Sequence, residues 1–243
     1  VTIDFEDGTD LYWARQQVAE RLAGVAKDLP AGASGGLAPI TTPLGEMLMF
    51  TIEGDISLEE KRTLLDWTIR PQLRTLPGVA DVNSLGGLVR TYEVQPILVA
   101  LKARGLQIAD LMRAIESNNR NDGAGRLTEG EESLLIRVDG SARTIEDLRA
   151  IVVHRDVGGR VTRLGDVATV RIGSLTRYGF VTRGGKEEAV EGLVLGLRRA
   201  NARAVVGSLL ARLDQIPPTL PPGVTTKISY DRGALLDRAI GTV

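Results

Sequence analysis

A helical pattern that ends at Leu76-Pro77-Gly78-Val79 and gives way to a strand is met again at Leu220-Pro221-Pro222-Gly223-Val224. Pro cannot continue a helix and Gly accepts positive φ, so each run stops a helix and turns the chain into a strand. A degenerate third case is Leu29-Pro30, after the helical pattern ending near Lys27. A chain on this plan is a weak internal repeat of β-α-β units. It predicts an α+β fold of repeated βαβ ferredoxin-like units, with helices on one sheet face. Residues 66–94 carry the plan in full: helix end, Pro77-Gly78 turn, strand, Gly86-Gly87, strand. Gly86-Gly87 predicts a two-residue hairpin, as do Gly158-Gly159 and Gly184-Gly185.

Periodicity supplies the rest. Residues 1–5 alternate like a half-buried strand, and residues 44–53 form another, with Met47 and Met49 as core filler on one face. Thr9 or Asp10 caps a helix with Leu11, Ala14, Val18, Leu22 and Val25 on one side. Ser57-Leu58-Glu59-Glu60 is a capping box. Its helix runs on Leu65, Ile69, Leu73 and Leu76, with a kink expected at Pro71. Residues 108–118 form a helix burying Ile108, Leu111, Met112 and Ile115, and residues 118–130 read as a polar linker. Residues 122–176 have their own rhythm of short β elements, which marks an inserted subdomain. Asn201 and Asp231 cap two further helices.

Composition excludes several functions. Net charge is −1 and aromatics are 4%, so there is no basic footprint and few stacking platforms for nucleic acid. There is no Cys and a single His, His154, which removes thiolate chemistry and His-based triads or metal clusters. No phosphate-binding Gly loop opens a helix, and no GxSxG or HExxH occurs. No run of 18 apolar residues occurs. Glu129, Glu131 and Glu132 read as a solvated acidic face, and Arg198-Arg199 as surface. No catalytic constellation and no cofactor site is read. Both ends look cut, which suggests a piece of a larger protein.

The run Phe5-Glu6-Asp7-Gly8-Thr9-Asp10 with Ala14-Arg15-Gln16-Gln17-Val18 resembles the resistance-nodulation-division (RND) efflux pumps. So do Asp66-Trp67, Pro71-Gln72-Leu73, Pro77-Gly78-Val79 and Gly86-Gly87. Asn118-Asn119, Arg163-Leu164-Gly165-Asp166-Val167-Ala168 and Tyr230-Asp231-Arg232 complete the match in order along the chain. The resemblance is to the heavy-metal branch, the CzcA/CusA-like inner-membrane pumps.

That resemblance implies most of the first large periplasmic loop. Residues 1–54 would be the second half of a first porter subdomain. Residues 55–121 and 177–232 would be the second porter subdomain, 122–176 a mixed α/β docking subdomain, and 233–243 the lead into transmembrane helix 2. With half of the first subdomain elsewhere, the strands at 1–5 and 44–53 should present an unpartnered sheet edge. The implied function is non-enzymatic: proton-driven export of divalent heavy-metal ions by a homotrimer on the periplasmic side of the Gram-negative inner membrane. The implied partners are a periplasmic adaptor (membrane fusion) protein and an outer-membrane channel. Asp81 and Glu93, on the strands flanking Gly86-Gly87, are the candidate metal-contacting carboxylates. Oxygen ligands suit hard divalent ions better than Cu(I) or Ag(I). The alternatives are a multidrug-type RND fragment and a stand-alone ferredoxin-like binding or assembly module.

Overall fold

A computed structural model describes residues 2–30, 33, 36–42, 44–119, 122–129, 132–138 and 140–241. In chain order the first elements are α1 (Leu11–Val25), β1 (Glu46–Glu53), α2 (Leu58–Leu64), a π-helical segment (Leu65–Ile69), α3 (Arg70–Arg74), β2 (Val79–Gly86) and β3 (Arg90–Pro96). Next come α4 (Leu98–Lys102), α5 (Ile108–Asn118), β4 (Asp122–Glu129), β5 (Glu132–Val138), α6 (Ile145–Ala150), β6 (Val152–Arg155), β7 (Val161–Arg163) and β8 (Ala168–Ser174). The last are β9 (Val181–Arg183), β10 (Glu187–Gly196), α7 (Ala202–Leu213), β11 (Thr225–Asp231) and α8 (Arg232–Ile240). They form two compact units. One comprises Val1–Asp55, Leu64–Leu85 and Val190–Val243; the other comprises Ile56–Thr63 and Gly86–Ala189.

The first unit is built on a sheet of order β11-β1-β10-β2. β1 is an inner strand, antiparallel to β10 on one side and to β11 on the other. Its alternate residues Leu48, Phe50 and Ile52 are fully buried, as a period of two demands for a strand with one face on a core. Phe50 lies opposite Gly192 in the β1–β10 register. A Cβ at Gly192 would come within 2.4 Å of the Phe50 ring, so Gly is what lets the ring lie across β10. Gly196 is covered in the same way by the flexible Met47 side chain. α7 packs on β1 and on α3, with Val205, Val206, Leu209 and Leu213 buried.

The helix between β1 and β2 buries Leu65, Ile69 and Leu73 completely. A spacing of four overshoots the 3.6-residue α-turn, so in a regular helix these side chains would spread over an arc of about 80°. The wider π-turn at Leu65–Ile69, closed by the Arg70 N–H on the Leu65 carbonyl, absorbs the excess. Pro71 follows directly, at the start of α3, where a missing N–H costs least. The Gln72 side-chain amide donates to the Thr68 carbonyl at 2.8 Å. The irregularity expected at Pro71 is therefore a π-segment that ends two residues upstream, at Ile69.

The second unit closes its core with Leu101 of α4, Leu111 and Ala114 of α5, Leu148 and Ile151 around α6, and Leu164, Val167, Ala168 and Val170 leading into β8. β3 and β8 pair antiparallel from Arg90↔Ser174 to Pro96↔Ala168. β4 pairs with β5, β6 with β7, and β9 with residues 187–189 of β10. Thr144 caps α6: its hydroxyl accepts from the Asp147 N–H at 3.1 Å, and Asp147 accepts from the Thr144 N–H at 3.0 Å.

Several sequence expectations hold. The Ser57/Glu60 capping box forms, with Ser57 N–H to Glu60 at 2.9 Å and Glu60 N–H to the Ser57 hydroxyl at 3.2 Å. Asp10, Asn201 and Asp231 cap their helices. Gly184 and Gly185 take φ of 58° and 68° in the β9–β10 hairpin. Others are corrected. Residues 2–5 form no strand, and Ile3 and Phe5 are exposed. The strand at 46–53 presents no free edge, because β10 and β11 occupy both sides. Gly86 and Gly87 do take positive φ, 68° and 70°, yet β2 and β3 do not form a hairpin. β2 is recruited by β10 and β3 by β8, and long registers outweigh a local turn. The supposed linker contains β4. In α5, Leu111 is buried while Ile108 and Met112 are exposed by 50% and 57%, because Ala114 takes the core-facing position instead. Of the α1 face only Ala14 is buried.

Gly192→Ala is expected to destabilise the protein by about 1–3 kcal/mol through overpacking against Phe50. Gly196→Ala should cost less, because the Met47 methyl can swing aside. Urea denaturation midpoints of the two variants check the order. Pro71→Ala is expected to keep the fold and the π-turn, because the alignment of Leu65, Ile69 and Leu73 still favours it. Backbone chemical shifts of residues 65–70 read this directly, and a shift to regular α values would show that the proline alone imposes the turn.

Candidate functional site

Asp81 sits on β2 facing α3, with a side chain 16% exposed. Its Oδ1 accepts from Arg74 Nε at 3.1 Å, from Arg70 Nη2 at 3.3 Å and from the Val82 N–H at 2.7 Å. Helix–turn–strand connectivity brings these groups together: the Leu76-Pro77-Gly78-Val79 turn folds β2 back along α3, so residues 70 and 74, one helical turn apart, both reach residue 81. The carboxylate is a half-buried clamp between helix and strand. Two guanidiniums already compensate its charge, so a divalent cation there competes with both.

Glu93 lies on β3 in the second unit, opposite Arg171 of β8. Oε2 accepts from Arg171 Nε at 2.9 Å and Oε1 from Gln95 Nε2 at 2.8 Å. The bond from Arg171, then that from Gln95, holds the carboxyl below its ordinary value. The two candidate carboxylates thus belong to different units, each with its own arginine partners.

His154 of β6 places Nε2 3.0 Å from Asp156 Oδ1. It borders an open groove of about 600 Å³ that also exposes Asp110, Arg113 and Ser117. Asp110 is engaged by the Gln107 N–H, at 2.8 Å, and by Arg113. Those bonds, the Gln107 amide first, hold its carboxyl low. Among the described residues no three His, Cys, Asp or Glu side chains converge as a metal-binding group. What the arrangement offers is charge-compensated carboxylates on strands, apt for structure and for lining a polar surface. Trp67, which the sequence reading met only as part of the Asp66-Trp67 motif, is 80% exposed on the π-turn. A π-segment is the kind of irregularity that singles out such a residue, and no propensity announces it.

The fold is an α+β arrangement of two units, and comparison with known proteins gives its family. The sequence model of the AcrB/AcrD/AcrF family matches residues 1–243, and the chain belongs to that family. It is 38% identical over 253 residues to the cobalt-zinc-cadmium resistance protein CzcA of Cupriavidus metallidurans, covering all of this chain and 24% of that protein. It is 39% identical over 251 residues to the protein HelA of Legionella pneumophila, and 35% identical over 243 residues to the cation efflux system protein CusA of Escherichia coli. A crystal structure of a heavy metal efflux pump superposes with a TM-score of 0.83 at 30% identity, over 98% of this chain and 24% of that one. The chain therefore spans about a quarter of the length of these relatives. Its similarity lies with the CzcA/CusA-like RND pumps, as the motifs from Phe5 to Arg232 imply. Among the described residues no helix is long and apolar enough to cross a membrane.

Asp81→Ala is expected to destabilise the first unit by about 1–3 kcal/mol near neutral pH, because Arg70 and Arg74 lose their shared acceptor. Glu93→Gln should lower stability at neutral pH and converge with the native chain at acid pH, where Glu93 no longer contributes. A lowered folded pKa contributes stability that is full above the unfolded carboxyl value of about 4.3. The contribution fades as pH falls through the lowered folded value. Thermal midpoints at pH 7 and across pH 5 to 3 check both: both variants shift at pH 7, and Glu93→Gln flattens the acid decline.

Proposed function

We propose that the chain is the periplasmic porter and docking portion of a proton-driven, trimeric RND pump that exports divalent heavy-metal ions of the zinc, cobalt and cadmium kind. The observation that carries the reading is the end-to-end match to CzcA, a protein named for resistance to those metals, together with the fold of a heavy metal efflux pump. The porter role falls to the unit built on the β11-β1-β10-β2 sheet. The docking role falls to the inserted residues 122–176, of which 144–170 share one core with Leu101, Leu111 and Ala114. On this reading a periplasmic adaptor and an outer-membrane channel are the partners. The chain lies on the periplasmic side of the inner membrane, and residues 233–243 lead toward a membrane-spanning helix. The paucity of aromatics, 4%, favours ions over the aromatic-lined cleft suited to drugs.

The test is expression of the complete pump carrying this segment in an efflux-deficient Gram-negative host. Several-fold higher tolerance to zinc, cobalt or cadmium is expected, with drug tolerance unchanged; raised drug tolerance without metal tolerance overturns the reading. Calorimetric titration of the chain with Zn²⁺, Co²⁺, Ni²⁺ and Cu⁺ then locates ion contacts. A several-fold loss of affinity in Asp81→Ala or Glu93→Ala assigns that carboxylate to the ion path. Equal affinity in all three proteins assigns both carboxylates to their arginines.

A further inference from the structure

The first unit contains a cavity of about 340 Å³ lined by Gly8, Thr9, Asp10, Tyr12, Arg198 and Arg199, among others. Most arginines of this molecule whose surroundings are described have acceptors: Arg70 and Arg74 hold Asp81, Arg171 holds Glu93, and Arg203 holds Asp237 at 2.9 Å. Arg198 and Arg199 are exposed, and among the described residues neither guanidinium has an ion pair or a hydrogen bond, as with Arg15, Arg21, Arg155, Arg160 and Arg212. What sets the pair apart is that the two are adjacent and line one cavity, held by the backbone bond from Arg198 N–H to the Ile40 carbonyl. Adjacent like charges repel, and both line the same cavity.

The backbone that presents them is also unusual. Residues 197–200 form a turn closed by the Ala200 N–H on the Leu197 carbonyl at 3.0 Å. Arg199 takes the third position with φ 68°, the one positive φ at a non-glycine among the described residues. That position is the natural place for Gly or Asn. The facing wall adds donors, since the Leu11 and Tyr12 amides open α1 and have no acceptor within it. Asp10 also lies on that wall, with Oδ1 taken by the Trp13 N–H at 2.8 Å. Its charge offsets one guanidinium and leaves an excess of one.

We propose that this cavity binds a phosphate-type oxyanion through Arg198 and Arg199. One guanidinium fork saturates a carboxylate, whereas two forks from adjacent residues can share the several oxygens of one phosphate. The cavity is larger than bare phosphate needs, so a phosphomonoester or a lipid phosphate headgroup fits the same chemistry. The inference is independent of the metal reading and involves none of the residues discussed for it.

The test uses Arg198→Ser/Arg199→Gly. Glycine relieves the left-handed strain while removing the guanidinium, so this variant is expected to fold with an equal or higher thermal midpoint. Calorimetry with inorganic phosphate and glycerol 1-phosphate should show saturable binding to the native chain, weakened at least tenfold in the variant and by added salt. Flotation with phosphatidylglycerol vesicles against phosphatidylcholine vesicles separates the sources. Binding to the soluble phosphates identifies a free anion, and arginine-dependent binding to phosphatidylglycerol alone identifies a headgroup. Absence of both, or equal binding by the well-folded variant, overturns the proposal.

Discussion

The structure of the first unit depends on β1 being enclosed on both sides. An inner strand must satisfy its N–H and C=O groups along both edges. β1 does so with β10, more than a hundred residues later, and with β11, later still. Neither partner is a sequence neighbour, so the intervening chain must leave the sheet and return to it. The contact that seals the arrangement is steric: Phe50 lies across Gly192, where a side chain of any kind would collide with it. Once β1, β10 and β11 are in register, Leu48, Phe50 and Ile52 form a buried stripe on which α7 rests.

The helix before β2 shows how packing overrules local regularity. Leu65, Ile69 and Leu73 recur every fourth residue, and a turn wider than α brings all three closer to one line than a regular helix would. The π-segment supplies it and delivers Arg70 and Arg74 to Asp81. The same local event thus sets the core, the carboxylate clamp and the exposure of Trp67. This coupling explains why Asp81 meets two arginines: they are placed by the burial of Ile69 and Leu73 beside them.

The caps at Asp10, Ser57, Asn201 and Asp231 were legible because a cap is a bond between residues three apart. The β9–β10 hairpin at Gly184-Gly185 was legible for the same reason. Gly86-Gly87 offered the same local signal, and its φ values agree, but the strands on either side found longer-range partners. In α5 the periodicity admitted two apolar faces, and the core chose the one through Leu111 and Ala114 over the one through Ile108 and Met112. Asp81 and Glu93 could be located on strands from sequence. The partner of Glu93 could not, because Arg171 meets it across a sheet from 78 residues away, and Arg70 and Arg74 reach Asp81 only once the turn at residues 76–79 folds β2 back along α3.

The sequence by itself determined the family, the α+β class, the caps and the turn glycines. These rest on residues close in the chain or on motifs in a preserved order. The tertiary structure alone decided which strands pair, which apolar faces are buried, and which charges find partners. Those outcomes depend on free energy gained only when distant segments meet: the β1–β10–β11 register, the cross-strand Glu93–Arg171 bond, and the assembly of Arg198 and Arg199 beside residues 8–12 in one cavity. No local pattern encodes a contact whose two sides are nearly two hundred residues apart.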